Sequence, residues 1–345
     1  MKFRIITACA LAACVCVGAA SVAAATPASI ALGQEKKEGA KVSGDEAKAA
    51  EKINKAQSAE AKLQAAAEFL KKYPQSSLRP RIGEALAAAV NAEQDNQLRA
   101  SLAETYRAIF NQPGEAERVE GTLLAAYINS GRTEEAYQVA QTWLAKNPDD
   151  VDILRSLTVL ASNEAIKNNT KFVAEGRRYG QRAVELIESD KRPASIEEAQ
   201  WAGYKTKWRP ALYRELGVLA RHAGDKAAAK AALEKAVELK SSDPAVYLIL
   251  GDYASQEYQL LALEYRASEG AAKQAALKKV EAHLDRMIDI SARALAAIEG
   301  NPQYQPAVAQ LRQDLESNYK YRHNNSTEGL QQLIDKYKQE FAAAR

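Results

Sequence analysis

The sequence predicts an all-α fold, an α-solenoid built from six to seven stacked helix–turn–helix hairpins. Its composition is the first reason. Only 17 Gly, 10 Pro and 5 Phe occur in 345 residues, with Ala, Glu, Lys, Gln and Leu abundant, a mixture that favours helix almost throughout. The second reason is pattern, because no stretch alternates apolar and polar residues with the period of two that a half-buried strand shows. The third is rhythm. Pro74, Pro113 and Pro148 lie 39 and then 35 residues apart, and proline cannot continue a helix from inside, so each marks a break between units of similar length.

The chain starts with Lys2 and Arg4, then runs without charge from Ile5 to Ala25 and reaches the small residues Ala23, Ala24 and Ala25. A basic start, an apolar run and small residues form the pattern of a cleaved export signal, so residues 1–25 are expected to be a signal peptide. All three cysteines, Cys9, Cys14 and Cys16, lie inside it. The mature chain would then have no disulfide, thiolate metal site or cysteine nucleophile. Leu11-Ala12-Ala13-Cys14 also resembles a bacterial lipoprotein box, which makes Cys14 a candidate lipidation site and would tether the protein to a membrane. The location expected is export to the periplasm or beyond, with a membrane anchor only if Cys14 is lipidated.

Charge is close to balanced, with 47 basic and 44 acidic residues and a formal net charge of +3, and loss of Lys2 and Arg4 lowers it by two. A general nucleic-acid binder needs a markedly basic surface, so nucleic acid is not an expected partner. Residues 26–44, with Pro, Gly, Ser and Lys and no apolar periodicity, read as a disordered stalk. The fold is expected over 45–345, opening on the capping-box pattern Ser43-x-x-Glu46.

A helix over Ala59 to Lys72 should end at Tyr73-Pro74. In the next unit Leu123 and Tyr127 occupy a first helix, Gly131 a turn, and Ala136, Ala140 and Trp143 a second helix. The clearest unit reads Tyr213-x2-Leu216-Gly217-x2-Ala220-x3-Gly224-x4-Ala229-x3-Leu233-x2-Ala236. A partial copy follows Pro244 as Tyr247-x2-Leu250-Gly251. From Ala271 to Ile298 there is neither Gly nor Pro, and three-four apolar spacing predicts one long helix packed through a narrow seam. Two more helices, roughly 304–320 and 327–343, should close the chain.

These units resemble the tetratricopeptide repeat (TPR), with an aromatic, a Leu-Gly pair, a turn glycine and alternating small and large residues down a second helix. The likeness covers 210–254 best and 117–148 less well, where Leu124 and Trp143 stand in place of small residues. The passage 59–92 also resembles the rhythm of periplasmic outer-membrane-assembly repeat proteins. The resemblance implies a scaffold that binds protein or peptide partners through an extended surface. It also implies that first helices line the binding groove, which assigns Arg118 and Asn129 in one repeat. In the strong repeat it assigns Arg214, Arg221 and His222, and in the next Asp252 and Gln256. The paired asparagines used by members that clamp a C-terminal carboxylate are not evident here.

A second candidate surface interrupts the rhythm. Residues 190–209 read as an insert between a helix ending near Ser189 and one starting near Pro210, with Ser195-x-x-Glu198 resembling the cap of a short extra helix. The insert holds Trp201, Tyr204 and Trp208 beside Lys205, Lys207 and Arg209. Aromatics are enriched at binding hot spots, and Lys167 to Arg214 carries 11 basic against 6 acidic residues, a pattern suited to an acidic peptide or an envelope polyanion. The same tryptophans would also serve simply to pin the insert.

Chemistry has little support in the sequence. Histidine occurs only at 222, 283 and 323, none in a zinc-binding arrangement, and phosphate loops and nucleophile elbows are absent. Carboxylates alternate with Lys and Arg as on solvated helix faces. The expectation is a non-catalytic protein without cofactor or metal. A structural subunit of an envelope-assembly complex, anchored through Cys14 or self-associating, is the alternative. An enzyme whose carboxylates converge only in the fold is a remoter one.

Overall fold

The computed structural model describes residues 42–193 and 196–343. The leader, Cys14, most of the stalk and Ser195 lie outside them. Among the described residues there are fourteen α-helices and no strand, and no helix is long and apolar enough to cross a membrane. The fold is all-α and solenoid-like, with consecutive helices packing on one another through most of each unit. The described residues divide into two compact units, with the boundary between Leu160 and Ala161.

The first unit contains α1 (Gly44–Lys55), α2 (Ala59–Lys72), α3 (Arg79–Ala92), α4 (Asn96–Ile109), α5 (Glu120–Asn129) and α6 (Thr133–Lys146), and α7 (Val151–Ile166) begins in it. Ser43, Ser58 and Asp95 cap α1, α2 and α4 by accepting from the third backbone N–H beyond them, which satisfies donors the helix leaves open. The capping box at Ser43 is half formed, because the Glu46 carboxylate accepts from Ser76 instead of reaching back. Ile53, Leu63, Ile82, Leu86, Tyr106, Phe110 and Leu123 are fully buried. Arg79 crosses this core as a fork onto Glu115, with bonds of 2.7 and 2.8 Å, and also donates to the Ile109 carbonyl.

The second unit contains α8 (Val173–Glu188), α9 (Glu198–His222), α10 (Lys226–Glu238), α11 (Pro244–Ala267), α12 (Gly270–Ile298), α13 (Gln305–Arg322) and α14 (Leu330–Ala343). α9 is one helix of 25 residues with Pro210 in its interior. The expected long connection with a separate short helix is therefore replaced by a brief loop and an uninterrupted helix. Glu197, not Ser195, stands at the N-cap, and its side chain makes no capping bond. The long helix expected from Ala271 is α12, but its burial is not a narrow seam. Val280, Leu284, Ile288, Ile290, Ala292, Leu295 and Ile298 are all buried, because α12 packs against α11, α13 and α14.

One closing device recurs. At Gly131, Asn168, Asp190, Gly224, Lys240 and Asn324 the backbone turns left-handed. At each, the next N–H bonds back across the last turn: Arg132 to Tyr127, Asn169 to Glu164, Lys191 to Leu186, Asp225 to Ala220, Ser241 to Ala236, Asn325 to Lys320. This is the Schellman closure of a helix C-terminus, which recovers carbonyls that lack an intrahelical donor.

Candidate functional site

The helices of the strong repeat meet where a glycine faces a leucine. Gly217 of α9 lies directly under Leu233 of α10, so the two helices approach closely and their outer faces leave a recess beside α8. The recess is a groove of 660 Å³. Tyr213, Leu216 and Ala220 of α9 form its floor. α8 supplies Arg177, Gln181, Val184 and Glu185 to one wall, and α10 supplies Ala228, Ala231, Ala232 and Lys235 to the other. The alanine wall lets a ligand backbone come close, while on the floor Tyr213 and Leu216 are partly exposed and Ala220 is buried.

Electrostatics frame this groove. Arg177 pairs with Asp225 at 2.9 Å, Arg182 with Glu185 at 3.2 Å and Lys235 with Glu238 at 2.7 Å. The Tyr213 hydroxyl donates to Glu188 at 2.7 Å, and burial together with that carboxylate pushes its pKa up to about 12. It is therefore a neutral phenol at any physiological pH. None of these pairs needs a ligand to be satisfied, so the groove offers shape and apolar contact more than a charge demand.

The aromatic segment forms the N-terminal half of α9. Trp201 is buried, and its indole N–H donates to Asp190 at 2.6 Å. Trp201 stacks on Tyr204 with centroids 5.5 Å apart, and Tyr204 meets Trp208 at 6.2 Å. Lys205 lies over the Trp201 ring and bonds Asp190 at 2.5 Å. Lys205 is the main cause, and Trp201 the second, that holds the Asp190 carboxyl below its ordinary range. Lys207 covers Trp208 at 4.8 Å, and Arg209 pairs with Glu188 at 3.3 Å. Trp201 thus acts as a pin between α9 and the loop after α8.

The local excess of basic residues does not translate into a bare basic surface. Besides the pairs above, Arg178 meets Glu175 and Lys167 meets Glu164, and Arg192 donates to the Ile196 carbonyl. Of the acids that pair with these bases, the window from Lys167 to Arg214 leaves out Glu164 and Asp225, the latter at the start of α10.

The residues assigned to a groove by resemblance separate on inspection. Arg214 is buried, 2.5 Å from Glu215 and 3.2 Å from Asp243. Burial works against its charge, but the two carboxylates outweigh that and hold it more firmly protonated than usual. It therefore braces α9 against the start of α11 and does not reach solvent. Arg221 is exposed and pairs with Asp252 at 3.2 Å. Beside it His222 is half-buried, and burial, helped by the Arg221 charge, lowers its pKa. Gln256 accepts from Lys226 at 3.2 Å. In the first unit Asn129 is exposed, and Arg118 reaches the Pro80 carbonyl at 3.3 Å and Glu84 at 3.5 Å.

A second recess of 570 Å³ lies among α12, α13 and α14, with Asp285, Asp289 and His323 on its lining. Its carboxylates are engaged, Asp285 with Arg322 and Asp289 with Arg293. His323 stacks on Tyr319 with a ring nitrogen 2.9 Å from that residue's carbonyl. Among the described residues no group of three or more His, Cys, Asp or Glu side chains converges to hold a metal ion.

The groove between α8 and α10 had no signal in the sequence. Its floor residues Tyr213 and Leu216 stand at core positions of the repeat pattern, and its walls come from helices about fifty residues apart. No protein-family model matches the chain, and no curated protein matches it in sequence.

Proposed function

We propose that this chain is a non-catalytic scaffold of TPR type, exported to the bacterial envelope, where it binds a protein or peptide partner. The observation that carries the reading is the groove of 660 Å³ over Tyr213, Leu216 and Ala220. Concave, largely apolar recesses between helices are where such surfaces accept a partner's side chains. The tight crossing of Gly217 under Leu233 supports the repeat reading, since this contact joins the Leu-Gly position to the large residue of the second helix. The uncharged run Ile5 to Ala25 behind Lys2 and Arg4 supports export.

The test is capture from envelope extract with three baits: wild type, Leu216→Glu/Ala231→Glu, and Trp201→Ala/Trp208→Ala. A defined partner retained by wild type and lost only by the first variant supports the groove. A partner lost only by the tryptophan variant, with helix content intact, moves binding to the aromatic segment. Wild type that retains no specific protein sinks the scaffold reading.

A further inference from the structure

Helix α9 changes character at Pro210. Among residues 198–209 only Trp201 is buried, whereas beyond the proline Leu212, Arg214, Glu215 and all of 217–220 are buried. Pro210 has no N–H to offer the Thr206 carbonyl, so the helical ladder is interrupted where the two halves meet. The Thr206 hydroxyl donates to the Ala202 carbonyl at 3.0 Å, a side-chain bond that competes with the ladder and bends helices. The outer end is no firmer, since Glu197 at the N-cap makes no side-chain bond. Sparse apolar burial and an interrupted, uncapped ladder mark a segment that opens before the unit it belongs to.

Ties reach back from this outer half to two acids. Trp201 and Lys205 bond Asp190, and Arg209 meets Glu188 Oε1 at 3.3 Å. The same oxygen accepts from the Tyr213 hydroxyl at 2.7 Å. Tyr213 stands beyond the proline, on the floor of the groove between α8 and α10. One carboxylate oxygen thus clasps the outer half of α9 and a floor residue of the groove together.

We propose that residues 198–209 form an arm hinged at Pro210, which detaches from Asp190 and Glu188 while the rest of α9 stays packed, and whose position sets the groove floor through Glu188. With the arm docked, Glu188 holds Arg209 and Tyr213 at once, and the Tyr213 ring is fixed. With the arm away, Arg209 leaves with it, Glu188 loses that cation, and the clasp on Tyr213 loosens. A partner that prefers one of these two floors shifts the arm, and the arm tunes the partner's affinity by the same factor. The consequence for binding rests on the groove being the partner site; the hinge itself does not.

Hydrogen–deuterium exchange of the full chain at neutral pH, read peptide by peptide, tests this. In wild type, residues 202–209 are expected to exchange about tenfold faster than 215–222, or more. Pro210→Ala supplies the missing N–H, so exchange in 202–209 should slow by about tenfold while 215–222 stays unchanged. Tyr213→Phe should speed exchange in 202–209 about threefold, because the Tyr213 bond holds the oxygen that Arg209 reaches. Equal exchange in the two halves of wild-type α9 overturns the hinge, as does Pro210→Ala without effect on the arm. An arm indifferent to Tyr213→Phe overturns the clasp. All of these readings are made without a partner, so a failed capture and a failed hinge are told apart.

Discussion

Gly217 and Leu233 are in such close register that a Cβ built on the glycine would lie 2.6 Å from both Cγ and Cδ2 of the leucine. Gly121 stands in the same relation to Trp143 in the first unit, where the corresponding distance is 2.7 Å. Gly217 lies in a helix interior, where alanine would favour the helix by about 1 kcal/mol, while Gly121 is the second residue of α5. The close crossing is what that cost maintains.

Gly217→Ala is therefore expected to destabilise the second unit, because overpacking costs about 1–3 kcal/mol and exceeds the propensity gain. The contact predicts a reversal in a second background. With Leu233→Ala already present there is room for the new methyl, and Gly217→Ala should then be neutral or stabilising. Thermal melts of the four proteins in the cycle measure the coupling. Additive effects would show that the glycine is not held by Leu233.

Lys240 closes α10 with a left-handed backbone, φ 57°, a conformation that crowds the Cβ of an L-residue. Its side chain is exposed. Lys240→Gly is expected to raise stability by roughly 0.5–1 kcal/mol, the relief of strain less the greater freedom of glycine when unfolded. Lys240→Ala keeps the Cβ and should gain nothing. Denaturant midpoints of the two variants decide it, and equal midpoints would count against strain at this position.

Much of the architecture was legible because the punctuation is local. Tyr73-Pro74 ends α2 where expected, and Gly131 and Gly224 turn left-handed where the pattern placed turns. Four other helix ends close on Asn168, Asp190, Lys240 and Asn324, where the sequence carries no glycine to announce the turn. Pro210 misled for a different reason. Proline in a helix interior usually breaks it, but here residues on both sides of it are tied to Glu188, by Arg209 and by Tyr213, so α9 continues through. Burial of Arg214 was likewise invisible, since one of its two acids, Asp243, belongs to a different helix hairpin. The groove required three helices to converge, and no single stretch of sequence records that.

Asp190 serves as both a left-handed residue and the acceptor for the Trp201 indole. Asp190→Asn keeps a side chain that tolerates this backbone and still offers an oxygen to Trp201. Asp190→Ala loses both properties. The alanine variant should melt at a lower temperature than the asparagine variant and shift tryptophan emission as the Trp201 contact loosens. Identical melting and emission in the two variants would mean that Trp201 is held by its packing and ring contacts, not by the bond to Asp190.

The fork between Arg79 and Glu115 is a nearly buried ion pair of the first unit, with side chains only 11% and 10% exposed. Removing one partner strands the other, so Arg79→Ala should cost about 3–5 kcal/mol. Replacing both by apolar residues of similar size, Arg79→Met/Glu115→Leu, should cost far less, because no buried charge is left behind. The pair also sets a pH dependence. The bond from Arg79 is the main cause holding the Glu115 carboxyl below its ordinary value of 4.5. Its contribution is then complete above that value and is lost as pH falls through the lower pKa of the folded state. Wild type should lose stability across this acid window more steeply than the double variant, in which neither residue titrates. Unfolding midpoints measured from neutral pH downward compare the slopes, and parallel curves would assign the acid sensitivity of the unit to other carboxylates.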